Sequence, residues 1–293
     1  MNVRQSPNYA AYMKSIGWQV EKIGKWNAFI RKFPILGSFI KIQKITPPIP
    51  FEKIELLRKK YRAYTVKIEA GFCHCDPPAG GEAIPKGTAT ATSWLRDDMI
   101  NLKKYNYQLD KNPFIPTKTI QIDLRKTEEE MFKSFDEAKR RAVRRAEKNG
   151  VSVKVSEDIE SFISIKSKYF WPLGILIKKD IFSLWKNFYP GNARLLLAYK
   201  KDSVIGGIIL LFYDQISYYW LAGATNKGKK LFAPTILVWE VLKLSKKLGC
   251  NLFDFEGIYD ERFPKTTASW KGFTRFKQGF GGEEIVYSVS YIK

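Results

Sequence analysis

The sequence predicts an α/β (α+β) protein built from two similar units with mixed sheets. From residue 151 onward the signals follow the order β-α-α-β-β-β-α-β, and tight turns join the three consecutive strands, so part of that sheet is antiparallel. The first 125 residues show a looser version of the same order. A length of 293 residues suits two domains of ordinary size, and 45% hydrophobic residues is typical of a folded protein. We predict domains at residues 1–125 and 126–293.

The first unit is predicted from short signals. NYAAYMKSIGW indicates a helix that leads into a strand, and NAFIRKF and SFIKIQKI have the β-branched and aromatic content of strands. After three prolines, FEKIELLRKKYRAY spaces its apolar residues as one helix face. TVKIEAGF then alternates as a strand and leads into a loop rich in proline and glycine.

The second unit begins after the predicted strand KTIQIDL. Thr127 and Glu130 have capping-box spacing, and we expect the helix that they start to continue unbroken to Gly150. The strands VSVKV, ARLLLAYK, SVIGGIILLFY and ISYYWLAGAT follow, with helices predicted after the first of them. Pro234 opens another helix, Gly249 closes it, and NLFDFEG is predicted as the strand after it.

The charge is strongly basic in both halves of the chain. Lys and Arg number 50 against 29 Asp and Glu, a formal net charge of +21. Such a surface attracts nucleic acid, anionic lipid headgroups or phosphorylated metabolites. The alternative is a cation-rich composition without functional meaning. No apolar run is long enough to span a bilayer, and the N-terminus lacks the apolar core of a signal peptide, so we expect a cytoplasmic protein.

Cysteine and histidine are too few for several kinds of chemistry. Three cysteines do not form a disulfide framework, and one histidine excludes most nucleophile schemes that use a histidine base. Cys73, His74 and Cys75 are consecutive, whereas zinc sites separate paired thiols by two to four residues. We interpret this run as a loop or strand end, with a metal site as the second alternative, and we expect neither a metal nor a cofactor.

The stretch GFTRFKQGFGGE, from Gly272 to Glu283, has two interpretations. It is either a turn before a last strand or a place where Lys277 is held rigidly at a substrate. Gly281 and Gly282 suit a backbone with positive φ. We expect the Lys277 side chain to be accessible at the surface.

An arginine-rich helix also has two interpretations. Arg141, Arg144 and Arg145 have few acidic residues within reach. They form either a solvated face or a surface for nucleic acid. The loop TNKGKKLFAPT before the next strong helix is similar to the phosphate loop of GNAT-type acetyltransferases, although it lacks their glycine spacing, so it indicates a shape rather than a cofactor.

Taken together in this order, six stretches resemble one family. They are QSPNYAAYMKSIGW, CDPP, IDLRKTEEEMFKSFDEAKRRAVRRAEKNGVSV, YYWLAGAT, APTILVWEVLKLSKKLGCNLFDFEGI and RFKQGFGGE. The chain resembles the FemABX family, aminoacyl-tRNA-dependent peptidyltransferases that build peptidoglycan cross-bridges. The resemblance covers nearly the whole chain and implies two tandem acetyltransferase-like (GNAT-type) domains.

The resemblance also implies roles for individual residues. Phe276 and Lys277 match the pair at the catalytic centre, where a fixed cation would stabilise an oxyanion. Lys14 matches a cation that binds the diphosphate of the precursor, Tyr219 a tyrosine that contacts the precursor, and Asp76 an acidic residue that lines the cleft.

One helix departs from the family pattern. Where the family often has an arginine four residues before a tyrosine, this chain has Lys178 and Phe182. Lysine binds phosphate as a point charge rather than as a bidentate fork. We expect Lys178 to hold the diphosphate together with Lys14.

The function that the resemblance implies is transfer of an amino acid from aminoacyl-tRNA to the stem peptide of a peptidoglycan precursor. The precursor is either nucleotide-linked or lipid-linked, and the second would need peripheral contact with the inner face of the membrane. A monomer is expected. Two alternatives remain open, an N-acyltransferase that uses acyl-CoA and a non-catalytic protein that binds RNA or membranes.

Overall fold

The computed structural model describes residues 1–71, 98, 100–167 and 174–293. They form two compact units, each with a mixed sheet, which confirms the predicted fold class. The N-terminal unit contains Asn2–Lys118, Tyr259–Ser269 and Ile285–Lys293, and the C-terminal unit contains Met1, Thr119–Ile258 and Trp270–Glu284. Two short segments after residue 258 therefore belong to the N-terminal unit. The domain boundary between residues 125 and 126 stays a prediction.

The N-terminal unit is built on a six-stranded sheet with the order β1-β2-β3-β4-β13-β5. Strands β3 and β4 are parallel, and the other pairs described are antiparallel. Its main elements are α1 (Pro7–Ser15), β1 (Gln19–Ile23), β2 (Trp26–Phe33), β3 (Gly37–Ile45), α2 (Phe51–Lys60), β4 (Ala63–Ala70), β5 (Gln108–Leu109) and β13 (Tyr291–Ile292). The strands and helices predicted for this part are thus confirmed over the described residues.

The C-terminal unit is built on a seven-stranded sheet with the order β12-β6-β11-β10-β9-β8-β7. The strands are β6 (Lys118–Asp123), β7 (Val151–Ser156), β8 (Ala193–Lys200), β9 (Ser203–Tyr213), β10 (Ile216–Ala224), β11 (Leu252–Asp254) and β12 (Glu283–Val286). Strands β8 to β10 form the predicted antiparallel meander, and β7 pairs antiparallel with β8. Strand β11 lies parallel to β10 and antiparallel to β6. The parallel pair requires a crossover connection, and a helix supplies it.

The helices of the C-terminal unit cover this sheet. They are α3 (Glu128–Ser134), α4 (Glu137–Lys148), α5 (Ile159–Ser167), α6 (Gly174–Phe188), α7 (Asn226–Lys230), α8 (Ala233–Lys247) and α10 (Lys271–Gln278), while the short α9 (Pro264–Thr267) belongs to the N-terminal unit. Helix α8 is the crossover between β10 and β11. Gly249 follows it with φ of 78°, as predicted for a helix end.

The prediction of one continuous helix from Thr127 to Gly150 is wrong, because the helix is interrupted at Phe135. The predicted capping box of Thr127 and Glu130 is present and starts α3. Phe135 and Asp136 are extended, and the Asp136 carboxylate accepts a hydrogen bond of 2.6 Å from the Lys139 amide, which starts α4. Phe135 is buried against Trp239 and Phe280. A second N-cap and burial of one aromatic ring therefore outweigh continuation of the helix.

A cluster of aromatic side chains forms the core behind α10. Phe253 and Phe255 are fully buried, with ring centroids 5.0 Å apart, and Phe255 lies 5.8 Å from Phe280. Phe280 in turn contacts Phe276 on α10 with their centroids 5.2 Å apart. These contacts fix α10 against the end of β11.

The glycine pair after α10 has the positive φ that the sequence predicted, 74° at Gly281 and 87° at Gly282. A Cβ at Gly282 would also lie 2.4 Å from the Gln121 carbonyl oxygen, whereas a Cβ at Gly249 would have no neighbouring atom within 4 Å. We expect Gly249→Ala to cost about 1 kcal/mol for its left-handed backbone alone. Gly282→Ala should cost about 3 kcal/mol or more, because backbone must also shift.

Chemical denaturation of both variants measures this difference. Equal costs would contradict the close approach of Gly282 to β6.

Candidate functional site

A pocket of about 630 Å³ lies within the C-terminal unit. Its walls come from β10, the start of α8 and α10, and most of them are apolar, with a few charged groups among them. The lining residues are Lys166, Gly207, Ile208, Tyr219, Trp220, Leu221, Ala222, Gly223, Ala224, Lys229, Pro234, Leu237, Glu256, Gly272, Phe273, Phe276 and Lys277. An apolar concave site with a few placed polar groups is the usual form of a ligand site.

Lys277 is the cation most deeply placed in this pocket. It lies in the last turn of α10 and is only 7% exposed. Its ammonium Nζ donates hydrogen bonds to the carbonyl oxygens of Phe255, at 2.8 Å, and Gly257, at 2.5 Å. The expectation of a surface-accessible side chain is therefore wrong. The stretch that the sequence indicated as a turn is helical up to Gln278, and the helix turns this residue inward.

The end of β11 is shaped to present those two carbonyl groups. Glu256 has φ of 57° and Gly257 has φ of 113°, so the backbone changes direction directly after the strand. Asp254 holds this turn, because its carboxylate accepts hydrogen bonds from Thr119 Oγ1, at 2.6 Å, and from the Glu256 amide, at 2.7 Å. A left-handed conformation at a residue other than glycine is uncommon and is often found at functional sites.

The Asp254 carboxylate accepts a third hydrogen bond from Gln121 Nε2, at 2.9 Å. Thr119 and Gln121 lie on β6, which pairs with β11 so that Gln121 faces Asp254. One carboxylate therefore ties the neighbouring strand to the turn that supports Lys277. The pKa of Asp254 is raised by its burial and by the nearby Glu256 charge.

Burial also makes Lys277 less basic. It lowers the pKa of the ammonium to about 8, and the charges of Glu256 and Asp254 act in the opposite direction. A lysine with this pKa is still mostly charged at neutral pH and can release its proton more readily than an exposed one. Such a shift in a cleft is typical of functional lysines.

Two other predicted site residues lie in the same pocket. The ring centroid of Tyr219 lies 5.6 Å from Lys277 Nζ, and burial raises the pKa of the tyrosine hydroxyl. Phe276 lines the pocket beside Lys277, and Lys139 Nζ lies 4.5 Å from the centroid of its ring. The structure thus brings together three of the residues that the resemblance selected. Their roles stay predictions.

Another lysine of the pocket, Lys166, was not predicted from the sequence. Lys166 lies on α5, and its Nζ donates to the Ala222 carbonyl oxygen at 2.8 Å. Burial lowers its pKa. In the sequence it is one of many lysines on amphipathic helices. Its position near the bulge in β10, where the pairing with β9 shifts between Tyr219 and Leu221, follows only from the fold.

The remaining predicted substrate residues do not line this pocket. Lys14 is exposed on α1 in the N-terminal unit. Lys178 is exposed on α6, where its Nζ lies 3.3 Å from a Glu160 carboxylate oxygen. Asp76 lies outside the described residues, as do Cys73, His74 and Cys75. The roles of Lys14, Asp76 and Lys178 stay predictions.

The three arginines predicted to contact tRNA are exposed on α4. Arg141 pairs with Glu137 at 3.0 Å, an interaction of neighbouring helical turns. The guanidinium groups of Arg144 and Arg145 lie about 6 Å from the ring centroids of Phe132 and Phe232. This arrangement fits a solvated helix face as well as a phosphate-binding one.

The described residues contain neither a group of metal ligands nor a membrane-spanning helix. In the part of the chain that the structure describes, no three His, Cys, Asp or Glu side chains are grouped so that they could hold a metal ion. Nor does a helix in that part have the length and apolar character needed to cross a bilayer.

The lowered pKa of Lys277 predicts a pH dependence of stability. Between the folded pKa of about 8 and the unfolded value of 10.5, only the unfolded chain holds this proton, so the free energy of unfolding rises with pH. Lys277→Met lacks the effect. Between pH 7.5 and 9.5 the wild type should gain about 2 kcal/mol relative to this variant.

Urea denaturation of both proteins at the two pH values measures the gain. A constant difference would show that the folded pKa of Lys277 is not lowered.

The chain is similar to known proteins in part of its sequence and in its fold. The FemAB family matches residues 190–288. A comparison with curated protein sequences found no match. The crystal structure of FemX is similar over 99% of this chain and 92% of its own, with a TM-score of 0.72 and 16% identity.

Two further structures share the fold at lower similarity. The C-terminal domain of a putative lysylphosphatidylglycerol synthetase from Agrobacterium fabrum is similar over 99% of this chain and 87% of its own, with a TM-score of 0.59 and 10% identity. A tandem GNAT protein from the clavulanic acid biosynthesis pathway is similar over 92% and 82%, with a TM-score of 0.50 and 10% identity.

The last of these structures confirms the expected tandem acetyltransferase-like fold. The FemAB match contains the whole of β10, α8, β11 and α10, which together carry Lys277 and the backbone that holds it. Residues 190–288 are thus similar in sequence to the FemAB family, and the chain shares its fold with FemX.

Proposed function

We propose that the protein transfers an amino acid from aminoacyl-tRNA to an amine of a peptidoglycan precursor's stem peptide. The observation that carries this proposal is the buried ammonium of Lys277 in an apolar pocket of the C-terminal unit. The similarity of residues 190–288 to the FemAB family supports the reaction class. The basic composition supports a polyanionic donor such as tRNA.

The reaction needs little beyond binding and a placed cation. The aminoacyl ester of tRNA is already activated, so the acceptor amine can attack its carbonyl carbon directly. A C–N bond forms, the C–O bond to the ribose breaks, and overall one amine proton ends on the ribose hydroxyl. The barrier comes from negative charge on the carbonyl oxygen and then on the leaving oxygen.

Lys277 can stabilise the negative charge on both oxygens, the carbonyl oxygen first and the leaving oxygen later. An ammonium has three N–H groups, and two of them are directed at the Phe255 and Gly257 carbonyl oxygens. The third is available for an oxygen of the substrate. With a pKa of about 8, the same group can also give a proton to the leaving ribose oxygen near neutral pH and take one back from the attacking amine.

The other pocket residues would position the substrates. Phe276 and Tyr219 would form apolar walls that exclude water, which strengthens the interaction between the ammonium and the developing charge. Lys14 and Lys178 are proposed to bind the diphosphate of the precursor, and Asp76 to line its cleft. A lipid-linked precursor would require peripheral contact with a membrane.

An acyl-CoA donor would need amides around α7 and the start of α8, and several of these already donate to groups of the protein. GNAT-type enzymes bind a pyrophosphate through such amides. Here the amides of Gly228 and Lys229 donate to Thr225, at 3.0 and 2.9 Å, and the Thr235 amide donates to Phe232 at 3.0 Å. Pro234 has no amide hydrogen. These groups are already used within the protein.

Catalysis by Lys277 predicts a loss of turnover rather than of binding. We expect Lys277→Ala to lower kcat about a hundredfold or more while both substrates still bind. Lys277→Arg should restore little, because a planar guanidinium does not fit a site that holds a point charge between two carbonyl groups. Arg275→Ala, which removes an exposed cation from the same helix, should retain turnover.

The assay uses mixed charged tRNA and a muropeptide precursor, with products identified by mass. Normal turnover in the alanine variant, with its fold intact by melting temperature, would make Lys277 structural. A product carrying the amino acid on a phospholipid instead would contradict the proposed acceptor.

Contact between α4 and tRNA predicts a change in salt dependence. Replacing Arg141, Arg144 and Arg145 with Gln should reduce the slope of log K against log salt by roughly 0.7 to 0.9 for each contact that is lost. A control replaces the exposed Lys22, Lys25 and Lys53 of the N-terminal unit with Gln, for the same change in net charge.

Filter binding of tRNA over a salt series measures both slopes. Equal slopes in the two triple variants would assign the α4 arginines to a solvated face.

A further inference from the structure

The turn between β2 and β3 carries an unusual set of exposed apolar side chains. We call residues 33–36, with the sequence Phe-Pro-Ile-Leu, the apolar tip. Ile35 is 100% exposed, Leu36 72% and Phe33 39%. Single exposed apolar residues are ordinary, but hairpin turns usually carry Gly, Asn, Asp or Ser. Consecutive aliphatic side chains at a turn therefore suggest a partner.

The apolar tip is held in a fixed position. The pairing of β2 with β3 continues to Phe33 and Gly37, directly on either side of the turn. Gly37 has φ of 91°, and a Cβ there would lie 2.4 Å from the Arg62 carbonyl oxygen at the start of β4. The turn is thus braced against the neighbouring strand, and little order would be lost when it meets a partner.

Aromatic side chains continue the apolar surface away from the tip. Tyr64 is 53% exposed, and its ring centroid lies 6.2 Å from that of Phe33. Both residues line a second pocket of about 690 Å³ in the N-terminal unit, together with Trp18, Phe39 and Phe114. Tyrosine and tryptophan are the side chains that favour the boundary between lipid and water.

Cations surround this apolar surface. Lys32 and Arg62 are exposed beside the turn, and Arg31 lines the second pocket. Lys41 Nζ lies 4.4 Å from the ring centroid of Trp18. Basic side chains around exposed apolar and aromatic ones are the combination that binds anionic lipid surfaces, since apolar insertion and electrostatic attraction add.

We propose that the apolar tip inserts into the surface of a membrane that contains anionic lipid. The fully exposed Ile35 with cations around it favours a bilayer, because the acyl chains and the anionic headgroups of one membrane surface match both features. The cations around the tip and the net charge of +21 are complementary to anionic headgroups. This inference does not depend on the transfer reaction, because binding needs neither donor nor acceptor.

Flotation of the full chain with vesicles tests the proposal. One set of vesicles contains phosphatidylcholine alone, and the other contains phosphatidylcholine and phosphatidylglycerol. The wild type should float with the second set. The Ile35→Ser/Leu36→Ser variant should bind it at least about tenfold more weakly, because two inserted aliphatic side chains are lost.

The matched control is Leu56→Ser/Leu109→Ser, which removes two aliphatic side chains that are 67% and 52% exposed elsewhere in the same unit. It should bind like the wild type, and all three proteins should share one melting temperature. Lys32→Gln/Arg62→Gln should also weaken binding, most clearly at low salt.

Three outcomes would overturn the proposal. The wild type could fail to float with the anionic vesicles, or the tip variant could float as well as the wild type, which would assign binding to overall charge. Sedimentation could also show a wild-type dimer that the tip variant converts to a monomer, which would assign the tip to contact between two copies.

Discussion

The pair of hydrogen bonds from Lys277 Nζ to the Phe255 and Gly257 carbonyl oxygens is the interaction on which the candidate site depends. A buried ammonium is costly unless its donors are satisfied, and backbone carbonyl groups satisfy them without adding a negative charge. A carboxylate in their place would hold the pKa high and compete with a substrate oxygen for the cation. Carbonyl groups fix the position of the ammonium and leave it available, with a pKa of about 8.

Much of the C-terminal unit serves to place those two carbonyl groups. Strand β11 pairs in parallel with β10 and ends at Asp254. The Asp254 carboxylate accepts hydrogen bonds from β6 and from the turn that follows it. On the other side, the contact of Phe280 with Phe255 fixes α10, so that its last turn directs Lys277 toward the same point. Asp254 therefore positions the carbonyl groups that bind Lys277, and the packing of the aromatic rings holds α10 in place.

The sequence predicted most strands and helices because each has a local cause. The prolines, glycines and β-branched runs define the meander and α8, and the capping box of Thr127 and Glu130 starts α3. The break at Phe135 was missed because it depends on burial against Trp239, a contact between residues far apart in sequence. Lys277 was selected through a motif, but its burial was not predicted, since the helix that turns it inward looked like a turn. Lys166 had no local signal at all.

The donor decides between the proposed reaction and its main alternative, because we propose that this pocket transfers an acyl group from a tRNA ester rather than from a thioester. The most direct measurement offers the protein charged tRNA or acyl-CoA with the same precursor and follows product by mass, with and without ribonuclease. We predict product from charged tRNA only, and its loss after ribonuclease treatment. Product formed from acyl-CoA, or formed from either donor after ribonuclease treatment, would contradict the claim.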